Sequence, residues 1–189
     1  NGNPSLVDSR LTNAEARLEY YFGRGNRVSL AGFYKDIDRP IEVFSSFSDN
    51  DQISGFANAP EATLYGVEIE AQKLFDLDRL GSIFNNRRLV LSGNYTYTKS
   101  EIQVGAGDTT VINGVVQDAS NFFFDGSPLT GQSDHLVNVQ IGLEDQDKLS
   151  QQTILVTYAS PRVTSRGPVG QPDILESPGF RLDFVARQG

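Results

Sequence analysis

Thr12-Asn13-Ala14-Glu15-Ala16-Arg17-Leu18-Glu19-Tyr20-Tyr21-Phe22 decides how this chain is read. Ala14, Ala16, Leu18, Tyr20 and Phe22 are apolar, whereas Asn13, Glu15, Arg17 and Glu19 between them are polar or charged. A period of two puts these sets on opposite faces of a β-strand, one meeting something oily and the other something wet. The stretch also has about the 9–11 residues that a tilted membrane strand requires. Six further stretches repeat the pattern, which suggests the wall of a pore.

The predicted strands lie near 12–22, 27–37, 63–74, 88–99, 135–145, 152–160 and 180–187. In the second, Val28, Leu30, Gly32 and Tyr34 share a face. In the third, Tyr65, Val67, Ile69 and Ala71 oppose Gly66, Glu68, Glu70 and Gln72. Leu89, Leu91, Gly93, Tyr95 and Tyr97 oppose Ser92, Asn94, Thr96 and Thr98 in the fourth. The fifth sets Val137, Val139, Ile141 and Leu143 against Asn138, Gln140, Gly142 and Glu144. Ile154, Val156 and Tyr158 mark the sixth, and Phe180, Leu182, Phe184 and Ala186 the seventh. None shows the i, i+3, i+4, i+7 spacing of a helix. All eight prolines fall outside these spans, as expected where a proline would remove a ladder donor.

Composition narrows the class. The chain has 189 residues, 38% of them hydrophobic, and no run approaches the 18 or so apolar residues of a membrane helix. A β-barrel remains open, because its apolar residues are diluted by polar ones facing the lumen. Without cysteine there is no disulfide framework and no thiolate metal site. A net charge of −8 speaks against binding to a nucleic-acid backbone, which needs clustered Lys and Arg. Asn1 opens the chain without a basic-then-apolar signal segment.

The connections alternate in length. Residues 23–26 and 145–151 are short and 75–87 intermediate, whereas 38–62, 100–134 and 160–179 are long and rich in Ser, Asp, Asn and Gly. An antiparallel meander gathers the short links at one end and the long ones at the other, as in barrels with short periplasmic turns and long extracellular loops. Tyr65, Tyr95, Tyr97, Tyr158 and Phe180 lie toward the long-loop ends of their strands, and Tyr20 and Phe22 toward a short turn. Two such belts suit the two interfaces of a bilayer, although no Trp contributes. A soluble sandwich used for adhesion or ligand binding also alternates with period two. Full charges on the polar faces and connections far longer than ordinary hairpin loops favour the barrel.

Chemistry-bearing residues are few. Glu68 and Glu70 share a strand face with Cα atoms about 6.6 Å apart, a separation used by glycosidase carboxylates, but a polar lumen accounts for both. Ser133, Asp134 and His135 are triad residue types, yet adjacency is not triad geometry, and His135 is the only histidine. Asp49-Asn50-Asp51 fails the calcium-loop spacing, which would put Ser54 at position six and Pro60 at position twelve. No catalytic residue, metal site or cofactor is predicted. Phe122-Phe123-Phe124-Asp125 is the most unusual loop segment. It reads either as a turn packed on the barrel rim or as an aromatic patch touching a ligand.

An ordered series of short motifs adds a resemblance. Asn3-Pro4-Ser5-Leu6 precedes a strand ending Glu19-Tyr20-Tyr21-Phe22; Phe33-Tyr34-Lys35-Asp36-Ile37 follows with Pro40-Ile41. Then come Tyr65-Gly66-Val67-Glu68-Ile69-Glu70, Asn94-Tyr95-Thr96-Tyr97-Thr98, and Pro128-Leu129-Thr130-Gly131-Gln132-Ser133 leading into Asn138. The series resembles the later half of the barrel of TonB-dependent outer-membrane receptors. It departs at Val7-Asp8-Ser9-Arg10, where that family commonly carries a Lys-Pro-Glu-like run.

The resemblance implies an all-β, antiparallel up-and-down meander forming part of a transmembrane β-barrel wall. Such receptors are plugged barrels of roughly 22 strands that import scarce nutrients with energy relayed by TonB. Seven strands would then be about a third of a wall, with the plug, the TonB-contacting segment and the closing strands lying elsewhere in a longer parent. The implied partners are outer-membrane lipid, TonB, and a small nutrient ligand held at the extracellular loops. Isolated, the stretch would expose two sheet edges able to self-associate.

Overall fold

The computed structural model describes residues 3–48, 51–112, 114–145 and 147–188. Their strands are β1 (Arg10–Tyr21), β2 (Arg27–Asp38), β3 (Ile41–Ser48), β4 (Asp51–Asn58), β5 (Glu61–Asp76), β6 (Arg87–Gln103) and β7 (Thr109–Ile112). There follow β8 (Val115–Asp118), β9 (His135–Asp145), β10 (Gln151–Ala159), β11 (Arg162–Ser165), β12 (Ile174–Glu176) and β13 (Gly179–Arg187). Seven of them make one antiparallel sheet in the order β1-β2-β5-β6-β9-β10-β13. These are the seven strands expected from the alternation, paired as a meander. The sheet is open, with β1 and β13 as its edges.

The remaining six strands form three hairpins, β3–β4, β7–β8 and β11–β12, one in each long connection. Alternation did not mark them as strands, because short ribbons beyond an apolar band are not sorted into one oily and one wet face. β5 and β6 also run past the expected ends, paired from Glu61↔Gln103 to Asp76↔Arg88. Their extra residues include Glu61, Glu101 and Gln103, where the apolar stripe has already ended. The intermediate link holds two short 3-10 turns, Asp78–Leu80 and Ser82–Phe84.

Register fixes the faces. Leu18, Leu30, Ile69, Tyr95, Val137, Tyr158 and Phe180 lie opposite one another in a single row across the sheet. Directly opposed residues share a face and alternate residues return to it. Tyr20, Val67, Leu91, Val139, Ile141, Ile154 and Leu182 therefore belong to this face. Glu15, Arg17, Glu68, Glu70, Asn94, Asn138 and Asp183 belong to the other, as the sequence predicts. The apolar face is bare: Leu18 is 75% exposed, Leu182 72% and Phe180 79%. From Leu89 to Tyr97 it extends eight residues, roughly 26 Å along the strand, comparable to the ~25 Å apolar band of a membrane barrel. Tyr20 stacks on Phe22 at 5.9 Å near the short-turn end, and Tyr158 meets Phe180 at 4.6 Å toward the long loops.

One glycine of the wall has a packing reason. Phe33 lies opposite Gly66, and its ring occupies the space where a Gly66 side chain would stand. A Cβ there would collide with the Tyr97 carbonyl and come within 2.6 Å of Phe33 Cζ. Gly66→Ala is expected to destabilise the full-length barrel by about 1–3 kcal/mol through overpacking. Gly32→Ala, with no atom within 4 Å of the new Cβ, should have little effect. Thermal unfolding of both variants checks this, and equal midpoints would refute the account.

Candidate functional site

The sheet has no second layer, so the buried core lies elsewhere. It forms where the long connections meet: Phe44, Ala57, Ala59, Ile112, Ala119, Phe123 and Leu129 pack with Ala62 and Ile102 at the ends of the wall strands. The first two connections thus fold into one cap at the long-loop end, and the third is fastened to it by hydrogen bonds and charge. The N-terminal segment joins it. Asn3 Nδ2 donates to the carbonyls of Phe56, at 3.0 Å, and Val111, at 2.8 Å, tying the first hairpin to the second.

A buried charge cluster links all three connections. Arg166 is 1% exposed, and its Nη1 donates to Asp173 Oδ2 at 2.8 Å. Its Nε stands 4.0 Å from Glu42 Oε2, in the first connection. Glu42, also buried, accepts from the backbone N–H of Thr130 in the second, at 3.0 Å. Burial pushes the Glu42 carboxyl above its ordinary range, and the Thr130 N–H and the Arg166 charge oppose that shift. Backbone bonds reinforce the cluster. Arg166 N–H donates to the Val43 carbonyl at 2.8 Å, and Ser45 N–H donates to the Arg166 carbonyl at 2.7 Å. Gly131 N–H reaches the Val163 carbonyl at 2.7 Å. Sequence reading missed Asn3, Glu42 and Arg166 as anchors, since a charge in a polar loop looks like any solvated one.

The Phe122–Asp125 segment follows a 3-10 turn, Ala119–Asn121, capped by the Asp118 side chain. Phe123 is fully buried in the cap core, and Phe122 packs edge-on against Phe44 at 5.6 Å. Phe124 is 42% exposed. Asp125 is exposed too, with Oδ1 accepting from Val104 N–H at 3.1 Å. Hydrogen bonds between Ile102 and residues Gly126 and Ser127 fasten the segment to the end of β6. Two rings thus anchor the segment, leaving Phe124 and Asp125 on the surface.

The polar face of the wall carries an ion network. Arg17 donates to Glu70 at 2.8 Å and to Glu19 at 2.6 Å, and Arg27 also pairs with Glu70. Arg88 pairs with Glu144 at 2.8 Å, and Asn138 Nδ2 donates to Asn94 Oδ1 at 2.8 Å. A groove of about 210 Å³ there is lined by Glu70, Ser92, Asn94, Asn138 and Gln140, with Glu68 outside it. The two glutamates do not flank a shared cleft. Nor do Ser133 and His135 form a relay. Ser133 Oγ donates to the Ser160 carbonyl at 2.8 Å, while His135 Nδ1 bonds the Tyr95 hydroxyl at 2.8 Å on the apolar face. Asp49 and Asn50 lie outside the described residues. Among those described, no group of three or more His, Cys, Asp or Glu side chains could hold a metal.

Comparison with known proteins agrees with this architecture. The family profile described as TonB dependent receptor-like, beta-barrel, matches residues 1–187. The iron-regulated outer membrane virulence protein of Vibrio cholerae serotype O1 is 26% identical over 174 residues. The match covers 92% of this chain and 24% of that protein, so the chain spans about a quarter of the relative's length. No solved structure matches. A meander with one bare apolar face, an ion-paired polar face and a loop cap at one end has the form of such a wall, and the chain belongs to the TonB-dependent receptor β-barrel family.

Proposed function

We infer that this chain is wall and loop structure of a receptor that imports a scarce nutrient across a Gram-negative outer membrane, with energy relayed by TonB. The carrying observation is the joining of three long connections into one cap, two through a shared core and the third through Arg166, beside a polar wall face. In the orientation usual for such barrels that cap is extracellular. The ligand classes to test are siderophore–iron, cobalamin and oligosaccharide, and the name of the Vibrio cholerae relative puts an iron-linked ligand first. Lipid surrounds the apolar face, and TonB acts through other parts of the parent. Isolated, the stretch would associate along the unpaired edges of β1 and β13.

Within the cap, the ligand contact is assigned to the Phe122–Asp125 segment, through the Phe124 ring and the Asp125 carboxylate. Phe122 and Phe123 hold that pair in place. A rigid aromatic surface beside a carboxylate suits a ligand with both apolar and polar parts. The double variant Phe124→Ser, Asp125→Asn in the full-length receptor should weaken ligand affinity about tenfold, at unchanged surface expression. It leaves the buried rings alone and keeps an acceptor for Val104. Unchanged affinity would remove the segment from the binding site. Uptake that persisted in a strain lacking TonB would overturn the transport reading.

A further inference from the structure

The apolar face of the wall has one irregularity. Between Leu89 and Tyr97 on β6, and over the corresponding stretches of its neighbours, Lys73 is the one charged side chain on this face among the described residues. A lysine facing hydrocarbon is costly unless its ammonium reaches water or an anion. The side chain runs toward the short-turn end of β5, where Nζ lies over the Phe75 ring, 4.9 Å from its centroid. That is the course of a lysine whose stem lies along apolar surface while its charge seeks the membrane boundary. Lys99, the other lysine on this face, is near the long loops and has Glu101 at 3.9 Å. Lys73 has no carboxylate partner among the described residues.

Beside Lys73 the face is hollow. A groove of about 570 Å³ is lined by Val28, Ala71, Lys73, Leu91, Gly93 and Ile141, among others. Ala71 and Gly93 are directly opposed across β5 and β6 and form a low floor between taller side chains. Its volume falls within the roughly 300–1,000 Å³ of small-molecule sites, and its lining is nearly all hydrocarbon. An anion beside the ammonium and an aliphatic chain along the floor would satisfy both features at once.

We propose that Lys73 and this groove bind one glycerophospholipid, its phosphate at the ammonium and an acyl chain over Ala71 and Gly93. The choice of a glycerophospholipid rests on the receptor reading above, which turns the short-turn end toward the periplasm and so toward the phospholipid leaflet. Lipid A, with phosphates of its own, would be the occupant if that orientation were reversed. The ligand is structural: it solvates a cation that the wall itself leaves unpaired.

The test uses the full-length receptor in mild detergent, incubated with phosphatidylglycerol or with lipid A, with bound lipid counted by native mass spectrometry. Wild type should retain one phosphatidylglycerol. Lys73→Gln should lower retention about fivefold, the worth of one lysine beside an anionic lipid surface. Ala71→Leu, which fills the floor and keeps the charge, should lower it as well, and Lys99→Gln should not. Equal retention by wild type and Lys73→Gln, or a preference for lipid A, would overturn the proposal. Retention is read without transport, so a receptor that kept its lipid but imported nothing would tell against the receptor reading alone.

Discussion

Arg166→Met in the full-length receptor is expected to cost about 3–5 kcal/mol of cap stability, the usual penalty for removing one partner of a buried ion pair. The loss has a clear source: Glu42, itself buried, would lose the cation beside it and, with only the Thr130 N–H left, either hold an uncompensated charge or take up a proton. The effect should reach beyond its own loop. Hydrogen exchange should quicken together in residues 41–58, 104–134 and 160–178, because Arg166 touches the first through Glu42 and Val43 and the second through Glu42 and Thr130. The wall strands should keep their protection. Arg162→Met is the comparison. Its pair with Glu176 is partly exposed at 2.8 Å, and such pairs contribute about 0–1 kcal/mol. Faster exchange confined to residues 162–176 in Arg166→Met would show that the three connections are not one unit.

The second large effect lies in the wall. Leu91→Arg, on the apolar face near the middle of β6, should cost roughly 2–4 kcal/mol when the full-length barrel folds into lipid. Asn94→Ala, three residues away on the opposite face, removes one hydrogen bond with Asn138 and should cost about 1 kcal/mol. Folding titrations into vesicles measure both. Equal costs would show that the two faces have been exchanged, which a one-residue slip of register would do to the whole strand.

How much of this was legible in the sequence follows from where the physics leaves a trace. Each wall strand crosses a boundary between oil and water, so Leu18 beside Arg17 and Ile69 beside Glu70 announce their faces. The three loop hairpins cross no such boundary. Only β7–β8 carries a conventional signal, Asn113-Gly114 between Val111-Ile112 and Val115-Val116, which is the turn pair that two-residue hairpins favour. For the Phe122–Asp125 segment the sequence offered a packed turn or an exposed patch, without saying which ring does which. Phe123 and Phe124 are identical neighbours, and only the fold sends one into the core and leaves the other outside. Arg166 left no trace at all, because Asp173 nearby reads as an ordinary loop charge and its buried partner Glu42 is 124 positions away, itself held by Thr130 of a different loop.

The clasp between Glu42, Thr130 and Arg166 also bears on how such a protein is seen from outside and how it can change. A surface assembled from three distant stretches is a discontinuous epitope, and no peptide copied from one stretch reproduces it. Antibodies raised against the folded cap would lose their target on denaturation, whereas antibodies against a single loop would meet it half hidden. Exchange of one loop between related receptors would bring in half of a clasp, leaving a charge buried without its counterpart. Loops joined in this way are inherited as a set, and substitutions are tolerated most readily at positions such as Phe124 that stand outside the joint.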